Sequence, residues 1–148
     1  KGISMPFEKD VNKKQKKTEK NRGGDDGMLE CLIVGAGGFI GSVFRYLIGL
    51  IPVKESWNFP VKTFCINIAG AFVIGMIAAL TARNDSFPPR MTLFLKVGVC
   101  GGFTTFSSFA LETGDLLQSG NAKTALLYAV LSMAAGVAAV FAGEAVIR

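Results

Sequence analysis

Gly101-Gly102-Phe103-Thr104-Thr105-Phe106-Ser107-Ser108-Phe109 lies inside an apolar run reaching from about Met91 to Leu117. Two adjacent glycines and four hydroxyl side chains are poor material for an uninterrupted helix. At membrane depth they free backbone carbonyls and bring in polar groups that lipid cannot satisfy. Such a segment survives only where it is buried in protein or lines a watery or ion-filled path. The stretch therefore predicts a broken membrane span and marks the working part of the chain.

Three more apolar runs surround it, at about Leu29–Ile51, Val61–Ala82 and Ala122–Ile147. Each is close to the roughly 20 residues that cross a hydrocarbon core of about 30 Å. Pro52 ends the first, and Trp57-Asn58-Phe59-Pro60 reads as an interfacial approach to the second. Arg83, Asp85, Pro88, Pro89 and Arg90 form the turn before the broken span, and Ser119-Gly120-Asn121 the turn after it. The expected fold is an all-α membrane protein with four transmembrane helices, the third of them interrupted, and an even number of spans leaves both termini on one side.

Of the 148 residues, 50% are hydrophobic, and the charge is segregated. Residues 1–27 hold eight of the sixteen Lys+Arg and five of the eleven Asp+Glu. This Lys-rich stretch has no apolar h-region, so it is not a secretory signal, and it reads as a disordered polar tail. Met28 directly precedes the apolar region. It is read as close to the natural start, with the tail an accessory segment or an upstream-translation artefact; mass spectrometry of the native chain tests this.

The remaining charges are balanced. Arg83, Arg90, Lys96 and Arg148 fall on the side of the termini, and Arg45, Lys54, Lys62 and Lys123 on the other. The positive-inside rule has nothing to act on, as expected for a chain that inserts both ways, although the tail would favour one orientation. No basic face interleaved with aromatics recurs, which argues against nucleic acid. Cys31, Cys65 and Cys100 are dispersed and histidine is absent, so disulfide frameworks, zinc sites and histidine-based catalysis are not indicated. The chain does not read as an enzyme.

Several residues carry two readings. Val34-Gly35-Ala36-Gly37-Gly38-Phe39-Ile40-Gly41, with Glu55 downstream, imitates a dinucleotide-binding turn but lacks the alternating strands that fold requires. Small-xxx-small pairs, Gly37/Gly41 and Gly38/Ser42, explain it better as close helix packing. Arg45 is an interfacial anchor or part of a positive funnel at a pore mouth. Asn67 is interhelical glue or a pore ligand. Phe106 and Phe109 share a helix face, as core residues or as rings whose electropositive edges solvate an anion. Thr105, Ser107 and Ser108 add hydroxyl donors, Tyr128 and Ser132 form a polar line on the last span, and Glu112 reads as a cap or interfacial carboxylate. The inventory is rich in donors and poor in midspan carboxylates. It favours an anion or small neutral solute, carried by a bundle that must oligomerise to enclose a path.

Gly37-Gly38-x-x-Gly41-x-x-x-Arg45-Tyr46, Asn67-x-x-Gly70-x-Phe72-x-x-Gly75 and Gly98-x-x-Gly101-Gly102-x-Thr104-Thr105-Phe106-Ser107-x-Phe109 occur in this order. Together they resemble the Fluc (CrcB-type) fluoride channels over about residues 28–148. The resemblance implies passive, fluoride-selective export from the cytoplasm across the bacterial inner membrane, by an antiparallel, dual-topology homodimer with a central structural sodium ion. It implies that Asn67, Phe106, Phe109, Ser108, Tyr128, Ser132 and Thr63 line the fluoride path, that Arg45 and Glu112 belong to the vestibule or its support, and that backbone carbonyls of Gly101 and Thr104 hold the sodium. Ser108 stands where many relatives carry threonine. The alternative is a small multidrug-type proton-coupled exporter. That chemistry wants a carboxylate in the first span, where only Glu30 is present, at its edge.

Overall fold

The computed structural model describes the backbone of residues 6–53, 58–84 and 87–147, and the side chains of these residues except 6–23 and 25. Expectations resting on Lys54, Glu55, Trp57, Asp85 and Arg148 lie outside the described residues. The regular elements among the described residues are all helical: α1 (Pro6–Gly49), α2 (Val61–Arg83), α3 (Pro89–Thr92), a π-helical segment (Leu93–Cys100), α4 (Gly101–Phe103), α5 (Phe106–Gln118) and α6 (Ala122–Ile147). The backbone of α1 thus runs through most of the stretch read as an unstructured tail. Lys, Glu and Gln are good helix formers, and an apolar span follows them directly. The chain divides into Lys1–Leu32 and Ile33–Arg148, and the contacts and sites described below lie in the second unit.

Four stretches are long and apolar enough to span a bilayer: Asp26–Gly49, Val61–Arg83, Pro89–Gln118 and Ala122–Ile147. They coincide with the expected runs to within a few residues. Large apolar side chains point outward, among them Phe39, Phe44, Leu126, Met133 and Phe141, while the fully enclosed set is short. Outward Leu and Phe are at home in lipid, so helix association falls to close backbone approach and interhelical hydrogen bonds. On α6, Gly143 faces α2 so closely that a Cβ there would lie 3.0 Å from the Met76 nitrogen, and Gly75 of α2 meets the Val140 backbone in return. The glycines of α1 do the same against the third span. A Cβ on Gly37 would lie 2.9 Å from the Gly98 Cα, and one on Gly102 would lie 2.9 Å from the Gly38 Cα. The Val34–Gly41 stretch is therefore helix-packing surface, and it lies wholly inside α1.

The third span opens with Pro89 in the first helical turn, where its missing N–H costs nothing. It passes through the π-helical segment and α4, then breaks. Thr104 (φ −77°, ψ 156°) and Thr105 (φ −148°, ψ 111°) are extended, and α5 starts again at Phe106. Thr105 caps the new helix, its Oγ1 accepting from the Ser108 N–H at 3.1 Å. At the far end of α5, Gly120 adopts φ +80°. Asn121 N–H donates to the Leu116 carbonyl at 2.8 Å, and Gly120 N–H to that of Leu117 at 3.1 Å. These are the paired bonds of a Schellman turn, which sends the chain into α6 where the Ser-Gly-Asn signal predicts it.

Candidate functional site

The break is fixed from α2. Asn67 donates Nδ2–H to the Thr105 carbonyl at 3.1 Å and accepts the Thr105 N–H on Oδ1 at 2.8 Å. One side-chain amide thereby gives the Thr105 N–H an acceptor in place of the Gly101 carbonyl and brings a donor to the Thr105 carbonyl. Asn67 is glue between the spans, and one of its two amide hydrogens remains for another acceptor. Gly70, one turn on, lies beneath the break: a Cβ there would come within 3.3 Å of the Phe103 ring and collide with the Thr104 methyl.

The same rearrangement strips donors from two carbonyls. The regular helical donor to the Gly101 carbonyl is the Thr105 N–H, now given to Asn67. The regular donor to the Thr104 carbonyl is the Ser108 N–H, now given to Thr105 Oγ1. The Cys100 carbonyl keeps the Thr104 N–H at 3.0 Å and gains the Thr104 hydroxyl at 2.9 Å. Arg45 of α1 donates Nε–H to the Gly102 carbonyl at 3.2 Å. It thus reaches the end of α4, where a cation complements the exposed carbonyls of a helix terminus.

A second cluster sits beyond the cap. Glu112 of α5 accepts the Thr63 hydroxyl on Oε1 at 2.6 Å and the Tyr128 hydroxyl on Oε2 at 2.7 Å. Glu112 is half-buried and ties α2, α5 and α6 together. Each hydroxyl has one hydrogen, so Thr63 and Tyr128 cannot donate to an anion while they hold Glu112. Tyr128 is 0% exposed. Its ring lies 5.0 Å from that of Phe109 and 5.2 Å from that of Phe59, the latter edge-on at 79°. Phe109 is in turn 5.6 Å from Phe106, and Phe106 is 79% exposed. Ser132, one turn along α6, has its Oγ buried with no hydrogen-bond partner among the described residues.

A cavity of about 840 Å³ opens onto this region, lined by Arg45, Lys62, Thr63, Thr105, Ser108 and Glu112 among others. Arg45, Thr63, Ser108 and Glu112 thus share one cavity wall. Phe109 and Tyr128 pack behind Glu112, and Asn67 anchors the break to α2. Three contributors escape the motif reading: Thr105 as a cap, Phe59 as an aromatic wall, and Lys62 at the cavity. A hydroxyl residue three before Ser108 at the restart of a helix was the available signal for the cap. Phe59 and Lys62 carry no local signal, because their roles depend on residues from distant spans.

The family described as CrcB-like protein, Camphor Resistance (CrcB), matches residues 32–144. A protein of Chlorobaculum tepidum named fluoride-specific ion channel FluC is 46% identical over 116 residues, covering 78% of this chain and 92% of that protein. Relatives of the same name from Agrobacterium fabrum and Rhizobium meliloti are 44% and 43% identical over 122 residues, 82% of this chain and 98% of theirs. The glycine-packed first span, the asparagine-pinned break and the capped restart all fall within the matched residues, and the chain belongs to the CrcB-like family.

Proposed function

We propose that the chain is a fluoride-selective channel of the bacterial plasma membrane that exports fluoride passively and so limits its intracellular toxicity. The observation that carries this reading, beside the names of its relatives, is the break at Thr104–Thr105 held open by Asn67. It puts polar backbone, hydroxyls and an amide hydrogen at membrane depth. Fluoride is small and strongly hydrated, so a path must replace its water with closely spaced donors. A narrow path of that kind rejects the larger chloride. The remaining Asn67 N–H, Ser108 and the ring edges of Phe106 and Phe109 are the groups suited to this exchange, with Ser132, Tyr128 and Thr63 further along. Thr63 and Tyr128 join only when they let go of Glu112. Export needs no pump: hydrogen fluoride enters from acid surroundings and dissociates, and an inside-negative potential drives the anion out with about 2.3 kcal/mol per 100 mV. The relatives named above are fluoride channels, and none is a proton-coupled exporter.

The functional unit in this reading is an antiparallel homodimer. Two observations support it: the balanced core charges, and the extended backbone of Thr104 and Thr105, which lipid does not suit. The carbonyls of Gly101 and Thr104, both relieved of their helical donors, suit a hard cation such as sodium. Bound there, sodium would supply positive charge to backbone oxygens left without their helical donors. The test is fluoride release, with sodium present, from liposomes loaded with potassium fluoride, started by valinomycin, with a parallel chloride run. Fast fluoride loss with chloride retained is expected; no flux from verified folded protein would overturn the channel reading. Exchange of sodium for potassium should remove the flux, and sodium should restore it.

A further inference from the structure

Among the described residues, two cationic side chains face the cavity, and the motifs account only for Arg45. The other is Lys62, in the first turn of α2. Its Nζ donates to the carbonyl of Gly49, the last residue of α1, at 3.0 Å. A carbonyl occupies one of the three ammonium hydrogens and cancels none of the charge. Arg45 is held in the same manner by the Gly102 carbonyl. Two positive groups are thus fixed at the wall of one cavity by neutral acceptors. Among the described residues, the carboxylates lining that cavity are Glu112 and Asp115. In formal charge these four side chains balance, so removing Lys62 leaves an anion-repelling opening.

We infer that Lys62 is an anion-recruiting residue of the channel mouth, oriented by the Gly49 carbonyl and offsetting the carboxylates that fluoride must pass. The inference rests on the channel reading. Lys62 acts on capture and not on passage through the break. Throughput of a pore is limited by capture when the ion is scarce and by transit when it is plentiful. A Lys62 that merely capped α1 would change the number of competent proteins and scale flux equally at every concentration.

The experiment is a fluoride concentration series on the full chain in liposomes, comparing the unmutated protein with Lys62→Gln, Lys62→Met and Lys62→Arg, each at low and high impermeant salt. Neutral variants should lose roughly two- to fivefold in flux at low fluoride and keep the plateau. Lys62→Arg should retain the low-fluoride flux. Impermeant salt should depress the unmutated protein toward the neutral variants, since at 0.1 M charges are screened beyond about 10 Å. This last comparison needs no variant to fold. Equal loss at all concentrations, insensitivity to salt, or an arginine variant no better than glutamine would overturn the inference. An unmutated chain that carries no fluoride removes the channel reading and this one with it. A conducting chain whose Lys62 variants trace the same curve removes this one alone.

Discussion

α2 faces two neighbours and meets them by different means. Toward α6 it uses glycine: Gly75 against the Val140 backbone, and Phe72 and Met76 against Gly143. Toward the broken span it uses polar bonds: Asn67 to both backbone groups of Thr105, and Thr63 to Glu112. The first contact depends on shape and tolerates no added volume. The second depends on donors and acceptors and holds backbone that no helix ladder serves. One helix thus separates scaffold from site around its own circumference.

The sharpest way to break this contrast is Asn67→Ala. It leaves the α6 contact intact and removes two bonds to part-buried backbone, together worth roughly 2–4 kcal/mol. Fluoride flux should fall on the order of 100-fold at 1.4 kcal/mol per decade, with a monodisperse protein on gel filtration. Phe106→Ala should also abolish flux without unfolding. Normal flux in both would remove the site assignments. Gly143→Val attacks the other face and should cost about 1–3 kcal/mol, because the added carbons meet backbone that cannot yield. Thermal unfolding in detergent should register it, with flux per folded protein preserved. Glu112→Gln keeps the shape of the carboxylate but offers Thr63 and Tyr128 one acceptor where they had two. Roughly tenfold lower flux is expected, from about 1–3 kcal/mol of lost partnership; unchanged flux would make Glu112 part of the scaffold. Val137→Ala, on an outward surface, should shift stability by less than about 0.5 kcal/mol and leave flux alone.

The spans were legible because length and apolarity alone decide whether a helix can cross a bilayer, and the break because Gly101, Gly102 and the threonines contradict that apolarity. The glycines of α1 were also readable, since small residues four apart favour close approach in any membrane bundle. The partners were not. Asn67 and Thr105 lie 38 positions apart, and Thr63 and Glu112 lie 49 apart. Nothing local shows that one amide meets two backbone groups, or that two hydroxyls from different helices converge on one carboxylate. The sequence around Glu112 shows only its own helix, and its partners come from two others.

The π-helical segment Leu93–Cys100 makes the third span sensitive to length as well as to composition. A wider turn advances fewer degrees per residue than the 100° of an α-helix, so it sets the phase at which everything downstream is presented. Losing one residue before the break would let the segment relax to ordinary helix, which makes up part of the lost rotation and turns Thr104, Thr105 and the α5 cap relative to Asn67 by the remainder. Many substitutions there leave the phase untouched. Insertions and deletions do not, and the span should vary among functional sequences in spelling but not in count.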